Sequence, residues 1–370
     1  MEEKKENPQI SQEPKVLTRS EKKKKFLLLF AGLVGFNVFV FGAFYLSFYK
    51  SDQSEKTEAN KSSFLSPSPT PFPFQDMTIP YLRSRIYTSS LSELNQATET
   101  STYIGYLTSY DSDGLKINAY LTVPKGDRPQ NGWPAIVFVH GYIPPKNYQT
   151  LVNYASYVNY LAGRGFVVFK IDLRGHGDSE GEPGGGYYSS DYIIDTLNAR
   201  AALISSDFVN PSAIGLWGHS MAGNVVSRAL AASPEIPAVA IWAGAVYTYS
   251  DFSEFTIDDN SYQPPPSDSP SRQRRTQLFN TYCQFDPTSV FWKQVPMTNY
   301  LDGITGAISL NHAIDDVVVD IRYSRNLAEI LKNASVRYEL NEYPSGGHNF
   351  VGVSFNQAMQ KTVDFFKKEL

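Results

Sequence analysis

From about Ser101 to the end of the chain, short apolar runs alternate with longer amphipathic ones. Residues 115–123 (LKINAYLTV) alternate apolar and polar positions, the period of a strand with one covered face. Residues 135–140 (AIVFVH), 166–172 (FVVFKID), 213–218 (AIGLWG), 238–244 (AVAIWAG) and 306–312 (GAISLNH) are apolar on both faces. Such runs suit parallel strands covered by helices on either side. Between them, 149–162, 192–205, 221–232, 322–333 and 356–368 have helical spacing. This alternation predicts an α/β fold with a mostly parallel central sheet and right-handed crossovers. One segment, 247–301, breaks the rhythm. It holds Pro264, Pro265 and Pro266, a basic cluster at Arg272, Arg274 and Arg275, and the aromatics Phe252, Phe255, Tyr262, Phe279 and Tyr282. Long insertions serve as lids, binding loops or surface excursions, and this one reads as a partly helical cap. Its arginines suit a carboxylate or phosphate, or simply a solvated loop.

The first hundred residues follow another pattern. Residues 26–49 (FLLLFAGLVGFNVFVFGAFYLSFY) carry no charge. As a helix they would be about 36 Å long, enough to cross a bilayer with some tilt. Arg19 and Lys22 to Lys25 precede them, and mixed charges follow. That asymmetry predicts a cytoplasmic basic tail at 1–25, a single-pass membrane anchor at 26–49 and an extracytoplasmic remainder. A cleaved signal peptide is disfavoured, because the apolar run is too long and no Ala-x-Ala pattern follows. Residues 50–100 read as a linker, with SPSPTPFPF at 66–74 favouring an extended, semi-stiff spacer. The rest, 101–370, is long enough for one domain with a sizeable core.

Composition removes several classes. Net charge is −4 and no basic stripe lies beyond the N-terminal run, so nucleic acid is not an expected partner. Cys283 is the lone cysteine, which excludes a disulfide or a cysteine-based metal site within one chain. Phosphate-loop, dinucleotide and His-x-x-Glu-His patterns are missing, so no cofactor or metal is expected. Nothing in the sequence sets the oligomeric state.

The candidate chemistry sits where strand runs end. Gly218-His219-Ser220-Met221-Ala222 follows a strand run and opens a helical one, the context of a nucleophile elbow. Small neighbours let the turn be sharp, and the Met221 amide at the helix start points at a developing oxyanion. A serine hydroxyl needs a base, and the base an orienting acid. Among five histidines, His348 in SGGHNF stands last, after Ser220 and a candidate acid, the order in which this elbow type threads its triad. The acid belongs after the 306–312 strand, where Asp315, Asp316 and Asp320 are available.

HGY at His140, DLRGHGDSEG at 172–181, GHSMAG at Gly218, HAIDDVVV at His312 and SGGHNF at Ser345 together resemble the α/β-hydrolase fold. They are most similar to the catalytic domain of the prolyl oligopeptidase family and its dienelactone-hydrolase-like relatives, over about 101–370. The resemblance implies an acid four residues after His312, which is Asp316, with Asp315 in reserve. It implies a serine eight residues further on, met by Ser324, and a first oxyanion donor at the Tyr142 amide. By the same likeness Asp172 and Arg174 are structural neighbours of the site. Ala222 stands where the family has glycine, and Ala313 and Asp320 replace a glycine and a proline of its acid loop. The stretch between anchor and domain is too short for the family's β-propeller. The expectation is a membrane-anchored serine hydrolase with catalytic Ser220, Asp316 and His348 and oxyanion donors Tyr142 and Met221. It would act on a small-molecule or peptide substrate, as a peptidase or as a carboxylesterase of small esters. A non-catalytic binding module on a stalk is the alternative of another class.

Overall fold

The apolar runs become the strands of one twisted sheet. The computed structural model describes residues 71–370; the expected tail, the anchor and the start of the linker lie outside the described residues. The strands are β1 (Asn95–Glu99), β2 (Tyr103–Ser112), β3 (Leu115–Pro124), β4 (Trp133–Val139), β5 (Val167–Ile171), β6 (Val209–His219), β7 (Ala238–Trp242), β8 (Ala307–Ala313) and β9 (Arg337–Tyr343). Their order across the sheet is β1-β2-β3-β5-β4-β6-β7-β8-β9. The first three form an antiparallel edge, and β3 runs antiparallel to β5. From β5 through β4 to β9 every pair is parallel.

Two-sided burial follows from the residue alternation. Ile136, Phe138, Val168, Trp217 and Trp242 point to one face; Val137, Phe169, Leu216, Val239 and Ile241 point to the other. The helices covering these faces are α1 (Ile79–Ser84), α2 (Ala155–Ala162), α3 (Asp191–Ile204), α4 (Met221–Ala232), α5 (Asp251–Glu254), α6 (Pro270–Tyr282), α7 (Arg322–Asn333) and α8 (Gly352–Glu369). Among the described residues no helix is long and apolar enough to cross a membrane.

One outcome departs from the expected organisation. The compact unit begins at Pro71, so the Pro-rich end of the linker is part of the fold and the boundary at 101 moves. Residues 71–84 form a strap. The Tyr282 hydroxyl donates to the Pro73 carbonyl at 2.9 Å, Arg274 pairs with Asp76, and buried Arg228 donates to the Met77 carbonyl at 2.5 Å. The insertion is partly helical, as expected, carrying α5 and α6, and it pairs with the sheet's own loops. Ile257 bridges Val319, and the Asp258 amide donates to the Val318 carbonyl at 2.8 Å.

Candidate active site

Strand register brings the predicted residues to one rim. Val139 pairs with Gly218, His219 with Trp242, and Ala313 with Tyr343. The turns leaving β4, β6, β8 and β9 therefore emerge side by side at the carboxyl ends of the parallel strands, where ligands bind in such sheets.

Ser220 occupies the turn between β6 and α4 with φ 56° and ψ −122°. For a residue with a Cβ that conformation costs about 1–3 kcal/mol. The surroundings hold it: its amide donates to the Trp242 carbonyl at 2.9 Å, and its carbonyl accepts from the Gly223 amide at 2.8 Å. Gly218 makes the close approach possible, because a Cβ there would stand 2.7 Å from the Ala222 carbonyl oxygen and 2.9 Å from Val226. Ala222 itself is fully buried and fits in the place of the family glycine. The serine side chain does not cap the helix, which leaves the hydroxyl at the rim.

Asp316 and His348 meet. His348 Nδ1 lies 2.8 Å from Asp316 Oδ2, and the acid's Oδ1 accepts from the Val318 and Val319 amides at 2.8 and 3.0 Å. His312 Nε2 stands 3.2 Å from Oδ2 and 3.0 Å from the Val319 carbonyl. With two acceptors before it, Nε2 carries the proton, and His312 Nδ1 faces the Ser324 hydroxyl at 2.7 Å. Burial alone would raise the Asp316 pKa, but the bonds from His312 and His348 outweigh it and hold the carboxyl well below the usual range. Asp315 has different partners. Its carboxylate accepts from the Gly347 amide at 2.8 Å and the Gly346 amide at 3.2 Å, pinning the histidine loop by its backbone. Asp320 faces outward to Arg322.

No direct hydrogen bond joins the Ser220 hydroxyl to His348 among the described residues; His219 links their backbones. The His219 and His348 rings are 4.6 Å apart, and His219 Nε2 donates to the His348 carbonyl at 2.8 Å. His219 Nδ1 then accepts from the Tyr154 hydroxyl at 2.7 Å, and that oxygen accepts from the Gly141 amide at 3.0 Å. One chain of bonds thus ties the turn after β4, the elbow and the histidine loop. Burial, reinforced by neighbouring His348, pushes the His219 pKa down to about 3, so the ring is neutral. The one sequence signal for this role was the position of His219 at the end of a strand run, immediately before the serine.

Tyr142 follows Gly141, and Met221 opens α4. Neither amide is taken up by a backbone acceptor among the described residues. The Tyr142 side chain reaches into the insertion: its hydroxyl accepts from the Gln263 amide at 2.9 Å and donates to the Gln263 carbonyl at 3.2 Å. His140 and His176 are buried together, their ring centres 4.9 Å apart, and burial lowers the pKa of each. Arg174 is anchored on buried Asp195 at 2.6 Å, and Asp172 accepts from the Tyr148 hydroxyl at 2.6 Å. Among the described residues no group of His, Cys, Asp and Glu side chains is arranged to hold a metal ion. Two cavities of about 540 and 440 Å³ lie elsewhere, beside β2–β3 and below the amino ends of β4 and β5.

The sheet, with an elbow at the carboxyl ends of its parallel strands, has the form of the α/β-hydrolase fold. Comparison with known proteins agrees. Residues 133–257 match the family described as serine aminopeptidase, S33, a span that includes Tyr142 and Ser220 and stops before the acid and histidine loops. The thiohydrolase aneE of Aspergillus aculeatus is 33% identical over 111 residues, 30% of this chain and 32% of that protein. The uncharacterized protein YfhR of Salmonella typhi is 29% identical over 118 residues, 32% of this chain and 37% of that protein. The matches therefore span about a third of these curated relatives. Among solved structures, the puromycin-hydrolyzing peptidase of Mycobacterium tuberculosis superposes with a TM-score of 0.57 at 19% identity, over 74% of this chain and 40% of that one. Acetyl xylan esterase 1 from Thermoanaerobacterium sp. gives 0.53 at 19% identity, over 78% and 90%. The shared property is the fold.

Proposed function

We propose that the chain cleaves an ester or peptide bond of a small molecule or peptide through an acyl-enzyme. Ser220 Oγ attacks the carbonyl carbon while His348 Nε2 takes its proton. Asp316 holds the Nδ1–H and stabilises the imidazolium. The Tyr142 and Met221 amides receive the oxyanion. Collapse of the tetrahedral intermediate expels the leaving group, which takes the proton from His348. Water, deprotonated by the same imidazole, then releases the acid and restores Ser220. The observation that carries this reading is the strained Ser220 turn beside the His348–Asp316 pair. No hydrogen bond joins hydroxyl and imidazole among the described residues, and catalytic hydrogen bonds of this kind tighten on substrate binding.

Both bond types belong in the proposal, since neighbours of this fold include a peptidase and an esterase and the acyl chemistry is common to both bond types. On the same reading 26–49 anchors the chain and the hydrolase works outside the cytoplasm. A fluorophosphonate probe should label the full chain, and Ser220→Ala should abolish labelling and turnover; labelling of the variant would refute the assignment. A panel of short acyl p-nitrophenyl esters and peptidyl amides separates esterase from peptidase.

A further inference from the structure

The cap bears on what the substrate carries. Of its three arginines, Arg274 pairs with Asp76 and lies over the Phe74 ring, and exposed Arg272 donates to the Pro265 carbonyl at 3.0 Å. Arg275 differs. Its guanidinium lies 4.2 Å from the centre of the Tyr188 ring and 5.4 Å from that of Phe279. Those rings meet edge to face at 5.2 Å. The side chain is half-buried and no carboxylate stands within ion-pair distance among the described residues. Every other described arginine donates at least one hydrogen bond, and Arg275 makes none of good geometry. A planar fork of five N–H donors is thus presented on an aromatic wall, part-desolvated, with the Tyr188 hydroxyl beside it and no carboxylate partner among the described residues.

The wall adjoins the elbow. Two residues before Tyr188, a Cβ on Gly186 would stand 3.1 Å from Met221 Sδ, and Met221 follows Ser220. On the opposite flank the Tyr142 ring lies 5.3 Å from Tyr262. Burial raises the Tyr188 phenol, and the Arg275 guanidinium against it opposes this. Met221, offered as an oxyanion donor, therefore borders the segment that carries the Tyr188 face of this wall, and Tyr142 touches the same insertion at Tyr262 and Gln263.

We propose that Arg275 is a specificity-determining residue that receives a carboxylate on the acyl or leaving group of the substrate. This rests on the serine-hydrolase reading and narrows it to anionic esters or peptides. The test uses the full chain and two matched pairs: p-nitrophenyl butyrate against p-nitrophenyl hydrogen succinate, and phenyl acetate against 4-carboxyphenyl acetate. The wild type should prefer one carboxylate ester to its neutral twin, and added salt should erode that preference. Arg275→Gln should lower kcat/KM for that ester about ten- to a hundredfold, chiefly through KM, with the neutral twin within about twofold. Arg275→Lys should recover part of the loss. Equal losses on both twins, or a wild type without preference, would overturn the assignment. Fluorophosphonate labelling of Ser220 distinguishes the failures: labelling without carboxylate preference removes Arg275 alone, and absence of labelling removes the hydrolase with it.

Discussion

At the scale of single residues, two neighbours of the triad candidates do work that is not chemical. His219 donates to the backbone of His348, and Asp315 accepts from the two glycines before it. Neither role is legible in the sequence, because each depends on loops 129 and about 31 residues away folding to the same rim. Asp316 was legible only by its distance from His312. The buried neutral state of His219 gives a prediction with a definite sign. Its folded pKa, about 3, lies below the ordinary value of 6.5. Between those values the unfolded chain binds a proton that the folded chain refuses, so this residue's contribution is present above pH 6.5 and is lost as pH falls toward 3. His219→Gln should be less stable than wild type at pH 7, and the gap in Tm should narrow steadily on acidification. A gap independent of pH in thermal melts would show that the imidazole titrates freely in the folded state.

At the scale of elements, the parallel strands were read from continuous apolar runs, and α4 and α7 begin and end where the spacing predicted. What escaped was polar. β9 (RYELNEY) is an edge strand, largely half-exposed, and offers no apolar run; α6 buries Leu278 alone and has no stripe. The close meeting of β6 with α4 depends on Gly218. Gly218→Ala would press a methyl onto the Ala222 carbonyl and Val226, neither of which can swing away. Overpacking of this kind costs about 1–3 kcal/mol. The variant should melt several degrees lower and label with the fluorophosphonate more slowly. Unchanged melting and labelling would mean that strand and helix are free to part there.

At the scale of the whole molecule, the boundary read from composition fell too late, because proline and serine content marked 71–100 as spacer. Instead these residues supply α1, β1 and the strap held by Arg228 and Arg274. A chain beginning at Pro71 should fold, stay monodisperse without detergent and keep Ser220 labelling. A chain beginning at Ser101 loses an edge strand and leaves the Arg228 cation buried without its Met77 partner, so it should aggregate. Equal behaviour of the two by size-exclusion chromatography and labelling would place the working boundary back at 101.

The strap has a mechanical consequence. Read inward from Pro71, its attachments come in order: the Pro73 carbonyl on Tyr282, the Phe74 ring, the half-exposed Asp76–Arg274 pair, and only then the buried Met77–Arg228 bond. The first three all hold to α6. Tension drawn along the backbone from its amino end would accordingly be spent peeling the cap helix before any strand of the sheet felt it, which makes α6 the fuse of this molecule.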